Sequence, residues 1–336
     1  MGFETQDVRR KTLAIMKILN ESGEPLGGTV IANRLRDSGI ELGQRAVRYH
    51  LKMMDGQGLT RLVSRRNGRV LTERGIEEAK SALVGDKVGF AISRIDLLAF
   101  RTNFDYKKRC GTIPVNVSLF SKETFIKALE AMKPAFKTGL CVSDMVAVAS
   151  EGERLGELTV PKGKIGLATV CSIVLNGALL KAGIPMDSRF GGILQIRNHK
   201  PLRFMELISY AGCSLDPSEI FIMARMTSVG EVARNGHGTL LANFREIPAI
   251  CRPIAEEVVA RLNKAGLRAL MVMGDISVPV CEIPVELNKI GMVLLGGLNP
   301  VAAAEEAGVI AENHAMSTLM EYETLIKFEE LLYERS

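Results

Sequence analysis

The stretch QRAVRYHLKMMDGQGL, residues 44–59, decides how the N-terminal quarter of this chain folds. Wound as a helix, it places Val47, Leu51 and Met54 on one apolar stripe. Gln44, Arg45, Arg48, Tyr49 and Lys52 fall mostly on a different, basic face, and the Gly56 to Gly58 turn ends the helix. Upstream, Val8, Ile15, Ile18 and Leu19 keep helical spacing over residues 7–21, closed by Ser22 and Gly23. A short helix follows from Gly28 to Ser38, with Ile31 and Leu35 inward and Gly39 as its stop. Downstream, LTRLVSRRNGRVLT (59–72) holds two β-rich runs flanking Asn67-Gly68, a strong two-residue hairpin signal. Three helices and an arginine-tipped hairpin predict a winged helix-turn-helix over residues 1–84.

Charge is distributed to match. Residues 1–84 carry 15 Lys and Arg against 10 Asp and Glu, whereas residues 85–336 carry 28 of each. The whole net charge of +5 therefore sits in the first quarter, which points to a polyanionic partner there and a neutral body behind it. A helix in the major groove can read base edges with bidentate guanidinium and amide groups while neighbouring cations neutralise phosphates. The candidate DNA-reading residues are Gln44, Arg45, Arg48, Tyr49 and Lys52, with Arg65, Arg66 and Arg69 on the wing. The alternative is a solvated face of a protein-binding winged helix. His50 lies nearer the apolar side and reads as a core histidine.

With 336 residues, 47% hydrophobic and 24% charged, the chain is long enough for two or three domains with a sizeable core. Trp is absent, so aliphatic and Met side chains must do most of the packing. The six cysteines (Cys110, Cys141, Cys171, Cys213, Cys251, Cys281) have no CxxC or Cys/His spacing, so neither disulfides nor a metal site is expected and a reducing cytoplasm fits. The polar start MGFETQDVRRKT is not a signal peptide, and the most apolar run, IGLATVCSIVL, is too short to span a membrane.

After the helix TERGIEEAKSAL, a connector around Gly85 (residues 85–111) contains an amphipathic segment near Val88 to Phe100. From residue 112 to 336, β-rich runs such as IPVNVSLF and KIGLAT alternate with helical ones such as KETFIKALEAM and IVLNGALLKAG, giving an α+β or α/β body. That body contains a diverged internal repeat. KIGLATVCSIVLNGALLKAGI (164–184) aligns without gaps on KIGMVLLGGLNPVAAAEEAGV (289–309), and PVNVS with its later KTGL answers LANFR with its later KAGL. Residues 186–237, with strand-like GGILQI and PLRFMELI, read as an insertion between the halves.

A DNA reader joined to a larger body suggests a regulated switch, and here a resemblance becomes specific. TVCSIVLNGALLKAGIP (169–185), SRFGG (188–192), SLDPSEIF (214–221), LLANFREIPA (240–249) and LLGGLNPVAAAEEAG (294–308) are similar to the NrpR nitrogen-repressor family of methanogenic archaea and its bacterial relatives. The resemblance covers nearly the whole chain. It implies a homodimeric transcriptional repressor that binds an operator in double-stranded DNA and whose regulatory domain, in archaeal members, answers to 2-oxoglutarate. This chain has one such domain where some members carry two.

Read physically, the body offers places for a small dicarboxylate. In VLLGGLNPVAAAEE, Gly296 and Gly297 expose backbone N–H groups ahead of Asn299, an N-cap candidate, and Pro300 at the first helical position. The matching turn, Thr169 to Ser172, offers hydroxyls. Both turns also suit ordinary strand-to-helix packing. Arg189 in SRFGG and Arg245 in NFREIP are candidate carboxylate clamps, or else structural arginines paired with Glu246 or Asp187. Asn176 and Asn243 can donate to a keto or carboxylate oxygen, or cap a turn. Gly236-His237-Gly238 reads as a plain turn.

Two rival functions remain. An α/β enzyme with a winged-helix targeting module lacks support, because the chain has no P-loop, GxGxxG, GxSxG or metal-ligand spacing. No catalytic residue or cofactor is assigned. A thiol redox sensor would rest on Cys171 at a helix start, where a helix N-terminus lowers a thiol pKa.

Overall fold

The computed structural model describes residues 2–64, 66–81 and 89–335. The chain divides into two compact units, Met1–Leu97 and Leu98–Ser336.

In the first unit, α1 (Gly2–Ser22), α2 (Gly28–Asp37) and α3 (Gln44–Gly56) precede a two-stranded ribbon of β1 (Thr60–Ser64) and β2 (Gly68–Leu71), followed by α4 (Glu73–Ser81). The apolar spacings converge on one core. Ile15 and Leu19 of α1, Ile31 and Leu35 of α2, and Val47, Leu51 and Met54 of α3 are all buried there. Burying side chains of this size contributes about 1.5–3 kcal/mol each, which is what orients α3. The wing differs from the simple two-residue hairpin, since Ser64 pairs with Gly68 and Gly68 opens β2. Gly68 has φ +98°, and a Cβ there would sit 2.1 Å from the Leu26 carbonyl oxygen. Leu26 and Arg69 exchange backbone hydrogen bonds of 3.0 and 2.9 Å at that point, clipping the wing to the start of the helix-turn-helix. This is a winged helix.

The connector's Gly85 lies outside the described residues, and α5 (Phe90–Arg101) follows. The first half of the body is then β3 (Thr112–Ser121), α6 (Phe125–Lys137), β4 (Met145–Ala149), a short ribbon of β5 (Arg154–Leu155) and β6 (Leu158–Thr159), β7 (Lys164–Val170) and α7 (Ile173–Lys181). Next come β8 (Asp187–Arg197), β9 (Lys200–Ser209), α8 (Pro217–Met223) and α9 (Val229–Asn235). The second half is β10 (Gly238–Pro248), α10 (Arg252–Lys264), β11 (Leu270–Ile276), β12 (Lys289–Leu295) and α11 (Asn299–Glu306). The chain closes with β13 (Ala311–Glu321), β14 (Ile326–Lys327) and α12 (Phe328–Arg335).

Two five-stranded sheets result, ordered β13-β3-β7-β4-β14 and β11-β12-β10-β8-β9. Every pairing in them is antiparallel, so of the two classes expected the body is α+β. Each half is a split β-α-β unit whose final strand crosses to the other half's sheet: β8 pairs with β10, and β13 with β3. The registers make the repeat explicit. Asn116 faces Thr169 in the first half and Asn243 faces Leu294 in the second, separations of 127 and 125 residues that continue along both strand pairs. The helices follow the same relation. One core joins α6 to α11 through Leu129, Met132, Val301 and Ala304, and the other joins α7 to α10 through Val174, Leu179, Ala255 and Leu262.

Two boundaries move as a consequence. β8 is the counterpart of β13, so the added segment begins only at β9 and comprises β9, α8 and α9. The N-cap of α11 is Leu298, not Asn299, whose side chain is engaged elsewhere.

Candidate functional site

The outer face of α3 carries Gln44, Arg45, Arg48, Tyr49 and Lys52, all exposed, Tyr49 by 65%. Gln44 donates a side-chain hydrogen bond to the Thr29 hydroxyl, tying the start of α3 to α2. Arg66 is exposed at the wing turn, and Arg65 lies outside the described residues. Arg69 has a different setting. Its Nε donates to Asp55 Oδ2 at 2.8 Å, and Asp55 Oδ1 accepts from the Thr60 hydroxyl at 2.6 Å, so Arg69 fastens the wing to α3. His50 is buried beside Thr12, 3.4 Å from its hydroxyl to Nδ1.

The second place of interest is the centre of the body, where the two halves meet about their shared axis. A narrow cavity of about 20 Å³, room for one water-sized group, is lined by Asn116 and Asn243 from equivalent strand positions and by Ser172 and Gly297 from equivalent turns. Tyr210, Asp216 and Ser218, from the added segment, close it on one side, and Met316 from β13 lies on another. Asn243 accepts from the Tyr210 hydroxyl at 2.5 Å and donates to Ser172 Oγ at 3.2 Å. Asn116 accepts the Met316 backbone N–H at 3.0 Å.

Arg245 also lines this cavity and is the least accommodated group in it. Its side chain is 1% exposed, Nη1 donates to Ser188 Oγ, and Nε has no hydrogen-bond partner. Among the described residues no carboxylate lies within ion-pair distance of it, although its guanidinium stands over the Tyr210 ring at 5.5 Å. Burying a guanidinium without a paired anion is costly. Asp216, 7% exposed, is the nearby acidic group. Burial raises its pKa, against the lowering effects of Ser218, whose N–H donates at 2.7 Å, and of Arg245. Asp216 forms no ion pair with Arg245, and its carboxylate is engaged by the Ser218 N–H.

The other candidates separate cleanly. Arg189 is not at the cavity. It is a bulge residue of β8 whose guanidinium pairs with Glu246 at 3.0 Å, Asp187 at 3.5 Å and Glu286, and it serves the buried Glu246. Asn299 is fully buried and brackets the Leu241 backbone, accepting its N–H at 2.9 Å and donating to its carbonyl at 3.0 Å. Gly296 is glycine because a Cβ would meet Leu241 Cβ at 2.6 Å, and Gly297 because one would meet Asn116 Nδ2 and the Val170 carbonyl oxygen, each at 2.6 Å. Thr169 is buried and accepts weakly from Asn116 Nδ2 at 3.5 Å. Asn176 donates to Ser188 Oγ at 3.2 Å and leaves its own Oδ1 unpartnered, one shell behind Arg245. Cys171 borders the cavity, yet burial pushes its thiol up to about 12, opposite to the activation a redox sensor needs.

Asn116, Tyr210, Asp216 and Ser218 are cavity residues the sequence reading did not single out. For Asn116 a signal exists, because PVNVS aligns with LANFR, which places Asn116 on Asn243. A wider cleft of about 450 Å³ lies elsewhere, lined by Arg109, Lys264, Arg268 and Lys327 with Asp144 and Glu330. It opens beside the C-terminal end of α10, whose carbonyls disfavour an anion, and its charged side chains are solvated. Among the described residues no group of three His, Cys, Asp or Glu is placed to hold a metal, and no described helix is long and apolar enough to cross a membrane.

The family model of NrpR regulatory domains NRD1 and 2 matches residues 88–327, and that of the ribonuclease R winged-helix domain matches residues 13–79. Global nitrogen regulator NrpRI of Methanosarcina mazei is 41% identical over 318 residues, 95% of this chain and 98% of the relative. Global nitrogen regulators NrpR of Methanocaldococcus jannaschii and Methanococcus maripaludis are 33% and 31% identical over 96% and 93% of this chain. The chain spans about half the length of those two, 55% and 54%. A solved structure, a nitrogen repressor-like protein from Methanococcus jannaschii, superimposes with a TM-score of 0.60 at 28% identity, covering 71% of this chain and 98% of that one.

Proposed function

We propose, from the premise that this chain belongs to the NrpR family of nitrogen regulators and is a transcription regulator rather than an enzyme, that it represses by binding an operator in duplex DNA as a homodimer and releases or tightens that grip when a small dicarboxylate enters its body. The DNA reader is α3, with Arg48 and its exposed neighbours on base edges and phosphates and Arg66 on the backbone. Arg69 is left out of the reading set because Asp55 already holds it.

The observation that carries the effector reading is Arg245, a buried guanidinium with an unpartnered Nε and no paired carboxylate, beside Ser172, Asn243 and Gly297. A carboxylate supplies the missing charge, and the asparagines and hydroxyls suit a keto oxygen or a second carboxylate. 2-Oxoglutarate is the first candidate. The cavity holds only about 20 Å³, so such a ligand must part the lining as it binds. That is what a switch requires, because a ligand moves an equilibrium only by preferring one of two geometries. Coupling of about 1–3 kcal/mol, as in other allosteric pairs, would change operator affinity some 5- to 150-fold.

The test is operator binding by the full chain across a salt series, with and without 2-oxoglutarate. Affinity should fall steeply with salt and shift with the ligand. Salt-insensitive binding would remove the DNA reading, and an unchanged affinity over a panel of small dicarboxylates would remove the effector reading.

A further inference from the structure

The internal repeat supplies its own control for what the body's surface needs. Equivalent positions in the two halves are fixed by equivalent backbone hydrogen bonds: Lys122 N–H donates to the Gly163 carbonyl at 3.3 Å, and Ala249 N–H donates to the Asn288 carbonyl at 2.9 Å. Around that bond the first half presents Lys122, Glu123, Lys127 and Lys162 to solvent. The second half has Ala249, Ile250, Ile254 and Leu287 in their places. The fold therefore tolerates charge at all four positions and uses it once.

The substituted side chains are not buried instead. Ile250 is 88% exposed and Leu287 82%, with Ile254, Ile276 and Val278 about half exposed. They form one patch. Ala249 is bonded to Asn288, Asn288 N–H to Ser277 Oγ at 2.9 Å, and Ser277 N–H to the Lys289 carbonyl at 2.8 Å, which brings residues 249–250, 276–278 and 287–289 together. Its apolar area is on the order of 500 Å², at the upper end for a lone monomer and the size of the apolar centre of a standard two-fold interface. The surrounding cations are already paired, Arg252 with Glu256 at 2.9 Å and Lys289 with Glu286 at 2.6 Å, so the patch offers nothing to a polyanion. The neighbouring strand edge is also open. β4 is flanked by β14, whereas among the described residues no strand flanks its counterpart β11 on the outer side.

We infer that the surface around Ile250 and Leu287 is where a second copy of this chain docks. An apolar patch whose rim charges are internally balanced is complementary to itself, which is the condition for an isologous contact, and the two open β11 edges would be covered together. The inference rests on the homodimer reading above and names its surface.

The test uses the full chain and substitutions that the fold already carries in the other half. Ile250→Glu with Leu287→Lys installs the residues of positions 123 and 162, so folding should survive, as checked by an unchanged far-ultraviolet spectrum and cooperative melting. Sedimentation equilibrium should find the unsubstituted chain dimeric and the double variant monomeric, with the dissociation constant raised at least 100-fold, since each substitution enters twice across a two-fold contact. Lys162→Leu, on the other half, should leave the association unchanged. A double variant that stays dimeric at the same concentrations would overturn the surface while leaving the dimer. An unsubstituted chain that is monomeric at tens of micromolar would overturn both, whether DNA, the winged helix or another protein covers the patch.

Discussion

The two halves of the body share a topology and a register, yet they place charge in opposite ways. Where the second half buries Arg245, the first has Ser118, and where the second buries Glu246 the first has Leu119. Where the first half exposes Glu123 and Lys162, the second exposes Ile250 and Leu287. At these four positions the second half buries charge and exposes apolar side chains, the reverse of what stability alone selects. The first half shows that the same backbone folds with the ordinary distribution at these positions, so the fold does not require the inversion, and the proposed ligand and partner contacts account for it.

The strongest challenge to this contrast concerns Arg189. Arg189→Ala would leave Glu246, 1% exposed, with Lys289 at 3.4 Å and the Glu286 N–H at 2.9 Å as its remaining partners. Chemical denaturation should find a loss of about 3 kcal/mol, at the low end for breaking a buried pair because those partners persist. Ligand affinity should be unaffected. A normal stability with lost ligand binding would exchange the roles given to Arg189 and Arg245.

The turns differ next. Gly297→Ala should cost roughly 1–3 kcal/mol, because its Cβ would press on Asn116 Nδ2 and a backbone carbonyl at 2.6 Å. Ser172→Gly, at the equivalent turn, removes a side chain that accepts from Asn243 and should cost about 1 kcal/mol. Equal costs would argue that the axis is not centred on these residues.

Arg245→Met carries the opposite sign. Replacing an unpaired buried guanidinium by an apolar chain of similar length should raise ligand-free stability by about 1 kcal/mol, read as a higher melting temperature. A large loss would make Arg245 structural.

Smallest in free energy is the behaviour of Cys171. With its thiol pushed up to about 12 by burial, Cys171 holds far less thiolate at pH 8 in the native protein than an unperturbed thiol does. Alkylation followed by mass spectrometry should label the half-buried Cys110, Cys213, Cys251 and Cys281 first. Early labelling of Cys171 would reopen the redox alternative.

Much of this was legible in the sequence for a specific reason. The 3.6-residue spacing of Val47, Leu51 and Met54 is local, so α3 and its exposed face follow from one stretch. The repeat was legible because KIGLAT and KIGMVL keep their spacing to the helices that follow them. The exchange of β8 and β13 between sheets is not legible there, because a strand's partner is no part of its own pattern, and from sequence alone β8 reads as inserted. Arg189 and Arg245 were indistinguishable for a similar reason. Their difference is made by Glu286 and by burial, and Glu286 stands 97 residues from Arg189. Tyr210 and Asp216 come from a segment without a counterpart in the repeat, so nothing in the alignment could nominate them.

Isothermal titration of 2-oxoglutarate into the full chain and its Arg245→Met variant, with operator affinity read in parallel, tests the central claim most directly. Because only one of the two equivalent strands carries the guanidinium, the account predicts one ligand per chain, a shift in operator affinity on binding, and neither response in Arg245→Met, whose ligand-free operator binding stays normal. A variant that binds the ligand and shifts its operator affinity as the unsubstituted chain does would contradict it.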